Sequence, residues 1–170
     1  MFLGGINMEK YVLSVLVENH AGVLSRVSGL FSRRGYNIDS LVVCETADAD
    51  KSRATIVVSG DEYILEQIKK QLSKLVEVIS IEHCEKSETC QREMALIKVK
   101  ASGEQRAVII ETCNIFRAHI VDVGIESIIV EATGSETKID SLIRLLEPFG
   151  ILEFAKSGLT AMLRGKKVTQ

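Results

Sequence analysis

Apolar and polar positions along the chain fall into short runs with two periodicities. Residues 11–17, YVLSVLV, are almost continuously apolar and rich in β-branched side chains, which predicts a strand. Over residues 22–34, Val23, Leu24, Val27, Leu30 and Phe31 recur on one helical stripe. Gly35 suits the position that ends such a helix, and Arg33 and Arg34 suit the negative end of its dipole. Residues 38–44 predict a second strand, ADADKS a polar turn, and residues 54–59 a third strand. Ile64, Leu65, Ile68, Leu72 and Leu75 return to helical spacing after an acidic first turn, and residues 76–81 predict a fourth strand. The order is βαββαβ.

The same order recurs downstream. MALIKVKA (94–101) predicts a strand, residues 104–117 a less cleanly amphipathic helix, HIVDV and SIIVEATG two strands, SETKIDSLIRLL a helix and ILEFAK a last strand. Setting VVSGDEYILEQIKKQL against VEATGSETKIDSLIRLL matches Gly60 with Gly134, Ile68 with Leu142 and Leu72 with Leu146, the mark of a duplicated unit. The polar stretch CEKSETCQR (84–92) separates the halves. The expected fold class is therefore α+β: two ferredoxin-like βαββαβ units over residues 10–84 and 92–164, each an antiparallel sheet with two helices on one face. The strands over 11–17 and 38–44 are apolar on both faces. A small unit must cover such a second face with the other half of the chain, another copy or a larger subunit, so at least a dimer is expected.

Composition narrows the function. At 46% hydrophobic over 170 residues the chain builds a real core, yet no apolar run reaches membrane-spanning length. MFLGGINMEK is too short and weakly apolar for a signal peptide, so a cytoplasmic protein without a membrane partner is expected. A formal charge of -2 gives no general attraction to nucleic acid, and three tyrosines without tryptophan offer few platforms for bases or sugars. The cysteines at 44, 84, 90 and 113 have irregular spacing and are expected as unbridged thiols, with Cys44 and Cys113 filling core volume. His20, His83 and His119 lie in no nucleophile or metalloprotease motif. His83, Cys84 and Cys90 lack zinc-site spacing. GGIN (4–7) is not a nucleotide loop. The basic run RGKK (164–167) suits a solvated terminus or a contact to an acidic partner. No catalytic and no metal-binding residue is expected.

The stretch ENHAGVLSRVSGLFSRRGYNIDSL (18–41) is the best candidate for binding. A helix starting at Gly22 or Val23 leaves backbone amides without intrahelical partners at the positive end of its dipole, where a carboxylate can dock. Gly22 puts no side chain in the way, and the Asn19 carboxamide both donates and accepts. Asn37 lies at the edge of the second strand, reachable by a second copy packed alongside. Amides for a carboxylate, asparagines for an ammonium and Val23, Leu24 and Ile38 for an aliphatic group together suit a small zwitterion. The same residues also make an ordinary turn and helix caps with no ligand. Gly22, Arg26, Gly29 and Arg33 share a second side of the helix, suited to a close helix contact across a subunit interface or, more weakly, to a row binding phosphates.

SVLVENHAGVLSRVSGLFSRRGYNIDSL closely resembles the N-terminal ACT domain of the small regulatory subunit of acetolactate synthase, also called acetohydroxyacid synthase. SRATIVVSGDEYILEQIKKQLSKLVEVISI, REMALIKVKA, IFRAHIVDV and AKSGLTAMLRG continue the resemblance from Tyr11 to about Arg164. The resemblance implies a subunit without catalytic activity of its own. Such subunits activate a large catalytic subunit and confer feedback inhibition by branched-chain amino acids, valine most often. Thiamine diphosphate, Mg2+ and FAD would belong to the large subunit, with no cofactor on this chain. The ACT domains would form a homodimer or higher oligomer with the effector at the interface. By the same resemblance the effector site is formed by Asn19, Gly22 and Val23 of one copy and Asn37 and Ile38 of the other, with His20 and Ala21 lending backbone amides. The alternatives are an ACT-type amino-acid sensor of another system and a small ferredoxin-like enzyme. The second would need paired acid–base residues that the histidines do not supply.

Overall fold

The computed structural model describes residues 9–165; the GGIN motif and the end of the RGKK run lie outside the described residues. Two compact units are present, one formed by residues 9–90 together with 159–165, the other by Gln91–Gly158.

In the first unit β1 (Glu9–Glu18), α1 (Val23–Arg34), β2 (Ser40–Glu45), β3 (Lys51–Gly60), α2 (Glu62–Leu72) and β4 (Val78–His83) follow in order. The strands form an antiparallel sheet in the order β2-β3-β1-β4. Alternation puts Leu13, Val15, Val17, Ala54, Ile56 and Val58 on one face, where they pack with Val23, Val27, Leu30 and Phe31 of α1 and Leu65, Ile68 and Leu72 of α2. β2 starts at Ser40 rather than at residue 38, because Gly35 (φ 70°) ends α1 and the next residues carry the chain back to the sheet. β3 starts at Lys51, inside the expected turn, because Lys51 pairs with Glu18 across the sheet.

The second unit repeats the plan with β5 (Thr89–Lys100), α3 (Gln105–Ile115), β6 (His119–Val123), β7 (Ser127–Gly134), α4 (Glu136–Leu146) and β8 (Ile151–Lys156), in the order β6-β7-β5-β8. Ala95, Ile97, Val99, Ile128 and Val130 pack with Ile109 and Cys113 of α3 and Ile139, Leu142 and Leu146 of α4. The fold is α+β with two ferredoxin-like units, as the sequence implies. The matched glycines have one physical reason: each ends a strand where the following helix passes close. A Cβ on Gly60 would lie 3.0 Å from Ile64, and one on Gly134 would crowd the Lys138 side chain.

The C-terminal stretch packs back on the first unit. Leu159 and Ala161 pack on the helix-free face of the first sheet with Val12, Val57 and Cys84. β9 (Thr160–Leu163) pairs with β5. The Leu159 N–H donates to Ser40 Oγ (3.2 Å), the Arg164 N–H to Glu88 O (2.9 Å) and Arg164 Nε to Thr89 O (3.0 Å). The apolar second face of this sheet is thus covered in part by the chain's own return. None of the four cysteines is in a disulfide. Cys113 is a core residue, but Cys44 is exposed, because it lies on edge strand β2 and points away from the helices. No helix among the described residues is long and apolar enough to cross a membrane.

Candidate functional site

The loop between β1 and α1 presents a helix start without a side-chain cap. Gly22 occupies the N-cap position at φ 91° and ψ −15°, and the first helical bond runs from Arg26 N–H to Gly22 O (3.0 Å). α2 and α4 are finished differently, with Asp61 accepting from Ile64 N–H and Ser135 from Lys138 N–H, whereas α3, like α1, starts without a side-chain cap. A Cβ on Gly22 would meet nothing within 4 Å, so the space beside Gly22 is open. Its left-handed backbone, not crowding, requires glycine there.

Asn19 is exposed, but its carboxamide is engaged within the chain. Oδ1 accepts from Ser52 Oγ (2.9 Å), while Nδ2 donates to Ala49 O (2.8 Å) and Glu45 Oε2 (3.3 Å). Its backbone N–H donates to Asp50 O (2.8 Å). These bonds tie the β1–α1 loop to the hairpin between β2 and β3. His20 Nε2 lies 2.9 Å from Glu18 Oε2, and Nδ1 lies 3.2 Å from Ala21 O. Both partners are acceptors, so only the imidazolium satisfies both nitrogens. The Ala21 carbonyl and then the Glu18 carboxylate raise the His20 pKa above its usual 6.5. Ala21 is exposed, whereas Val23 is buried in the core and its backbone N–H donates to His20 O within the loop (3.4 Å).

Asn37 and Ile38 lie just before β2. Asn37 is exposed and donates from Nδ2 to Asp39 Oδ1 (2.8 Å), and Ile38 packs partly against the core. Asp39 Oδ2 accepts from Ser59 Oγ. Asp39 and Ser52 were not singled out from the sequence. For Asp39 the Asn-Ile-Asp alternation at a strand entry was the available signal; for Ser52 there was none, since it bonds to a residue 33 positions away.

The arginine row is accounted for within the chain. Arg26 pairs with Glu77, a carboxylate only 9% exposed that precedes β4. Arg33 folds back along Gly29, where an added Cβ would lie 3.3 Å from its Nη1. His83 packs edge-on against Tyr11 (5.6 Å), and His119 is exposed at the start of β6. Among the described residues no three His, Cys, Asp or Glu side chains are grouped so as to hold a metal ion. A groove of about 430 Å³ lined by Lys69, Lys70, Ser73 and Val78–Ile81 lies at β4, the sheet edge opposite β2.

Both halves of the chain match known families. Residues 13–80 match the family model described as AHAS small subunit-like ACT domain, and residues 92–165 the one described as small subunit of acetolactate synthase. An acetolactate synthase small subunit from Mycobacterium bovis is 52% identical over 157 residues, 92% of this chain and 94% of its own length. A probable acetolactate synthase small subunit from Archaeoglobus fulgidus is 51% identical over 158 residues, 93% of this chain and 99% of its own. The crystal structure of the acetolactate synthase small subunit from Thermotoga maritima superposes with a TM-score of 0.87 at 40% identity, covering 94% of this chain and 99% of that one.

Proposed function

The chain belongs to the family of acetolactate synthase small regulatory subunits, which are not themselves catalytic, and from that premise we propose that it senses valine or a related branched-chain amino acid at a site shared by two copies. The observation that carries the proposal is the uncapped start of α1 facing open space at Gly22, a seat for the effector carboxylate. Asn37, Ile38 and Asp39 of a second copy supply the other wall, with Asp39 and Asn37 suited to an ammonium. Pairing two β2 edges antiparallel about a two-fold axis places the Ser40 end of one copy beside the Glu45 end of the other, which completes two such sites. His20 and Ala21 contribute backbone amides, and the His20 imidazolium adds positive charge.

Thiamine diphosphate, Mg2+ and FAD belong in this proposal to the large catalytic subunit, and the complex is cytoplasmic. The effector acts by favouring one arrangement of the dimer that holds the large subunit differently from the empty one. A coupling of about 1–3 kcal/mol is sufficient for a metabolic response. The test is a titration of the full chain into the large subunit with and without valine. Activation that valine reverses is expected; neither activation nor valine sensitivity ends the proposal.

A further inference from the structure

We propose that Ser52 is a positioning residue of the effector site, acting through Asn19, and that Asn19 shapes the binding loop rather than holding the ligand with its side chain. The inference rests on the effector site proposed above. Its basis is the hydrogen-bond saturation of one carboxamide. Asn19 Oδ1 accepts from Ser52 Oγ at 2.9 Å, and the two Nδ2 hydrogens are directed at Ala49 O (2.8 Å) and Glu45 Oε2 (3.3 Å). Both donors are therefore spent, and a ligand could recruit one only by displacing an existing bond. Ser52 is 6% exposed, so its hydroxyl has little access to water and is oriented by this bond.

The effect on the loop follows from chain geometry. Asn19 is three residues from Gly22, and its backbone N–H also donates to Asp50 O at 2.8 Å. Four hydrogen bonds thus fix one end of a short loop whose other end is the left-handed Gly22. Together they set the direction in which the first amides of α1 point. The second unit ties down the corresponding loop by other means. There the Ala101 N–H donates to Glu126 O (2.8 Å), and Arg106 Nη2 donates to Ala101 O, Gly124 O and Ile125 O (2.7–3.0 Å). A loop held against the neighbouring hairpin is thus a feature of both repeats. Only the first uses a neutral amide held by a buried serine.

The test compares Ser52→Ala, Ser52→Thr, Asn19→Ala and the double variant Asn19→Ala/Ser52→Ala in the full chain. Valine affinity is measured by calorimetry. Ser52→Ala is expected to weaken valine binding about tenfold, as Asn19→Ala does, with Ser52→Thr close to wild type. The double variant should be no worse than either single one, because the two residues act as a unit. Wild-type valine affinity in Ser52→Ala, or losses that multiply in the double variant, overturns the proposal. Amide hydrogen exchange over residues 18–26 gives a readout independent of valine. It should speed up in both single variants, and unchanged exchange overturns the inference even if the wild type binds no valine. A wild type that ignores valine while the exchange effect holds sinks the effector assignment instead.

Discussion

Asn19 and Asn37 lie at opposite ends of one sheet. Asn19 is bonded to Ser52 near the start of β3, and Asn37 is linked through Asp39 to Ser59 near its end. At the usual rise per residue Ser52 and Ser59 are about 23 Å apart, far more than a single amino acid spans. One copy cannot offer both asparagines to one ligand. A site that uses both the Asn19 loop and Asn37 therefore requires a second copy, and edge strand β2 is the element proposed to bring the copies together.

Val43 tests that requirement. It lies on edge strand β2 and is 36% exposed, so a lysine there can reach water without disturbing the core. Edge lysines block strand-to-strand association. Val43→Lys should therefore convert the dimer to a monomer by light scattering, keep the circular dichroism of the fold and lose measurable valine binding. A monomer that binds valine with full affinity would show the site to be complete in one copy.

Gly22→Ala separates backbone from space. The added methyl meets no atom of the chain within 4 Å, so the cost is conformational, about 1–3 kcal/mol at φ 91°. A drop in Tm of several degrees is expected. Because the methyl also enters the space proposed for the effector carboxylate, valine affinity should fall further than the loss of stability explains. Calorimetry and thermal unfolding on the same sample distinguish the two, and unaltered affinity would place the ligand elsewhere.

The strands HIVDV, SIIVEATG and ILEFAK were legible to the residue, because each is an apolar run closed by a turn or a helix signal. β9 was not. TAML is four residues long, and it lies against the first unit because Val12 and Val57 offer it an apolar face far away in sequence. Cys44 was misplaced for a related reason: the apolar run around it signals a strand but not that the strand is an edge. At the site, the turn, the helix start and Gly22 followed from local rules. The engagement of Asn19 did not, since its side-chain partners lie 26 to 33 positions away.

His20 gives the loop a pH dependence. Its folded pKa is raised by the Ala21 carbonyl and the Glu18 carboxylate, with Glu77 adding to the field and Arg26 paired to Glu77 nearby. A raised pKa stabilises the fold fully below the unfolded value near 6.5, and that stabilisation is lost as pH rises through the folded value. The Tm difference between wild type and His20→Gln should be widest on the acid side and close above that window. Valine affinity should decline over the same range as the imidazolium beside the α1 amides loses its proton. An NMR titration of His20 locates the midpoint, and a midpoint at or below 6.5 would contradict the expected direction.

Leu159 tests the C-terminal return. Its side chain is 9% exposed and packs with Val12, Val57, Cys84 and Ala161, so Leu159→Ala should cost about 2 kcal/mol, near the lower end for a buried leucine because the cluster is small. The same change uncovers Cys84. Burial raises the pKa of that thiol, which keeps it protonated and unreactive in the native protein. In wild type, brief alkylation followed by mass spectrometry should label exposed Cys44 first and leave Cys84 and Cys113 untouched. In Leu159→Ala, Cys84 should become labelled while Cys113, in the core of the second unit, stays protected. Equal labelling of Cys84 in both proteins would mean that the return does not cover this face in solution. Labelling of Cys113 as well would point to global unfolding rather than local uncovering.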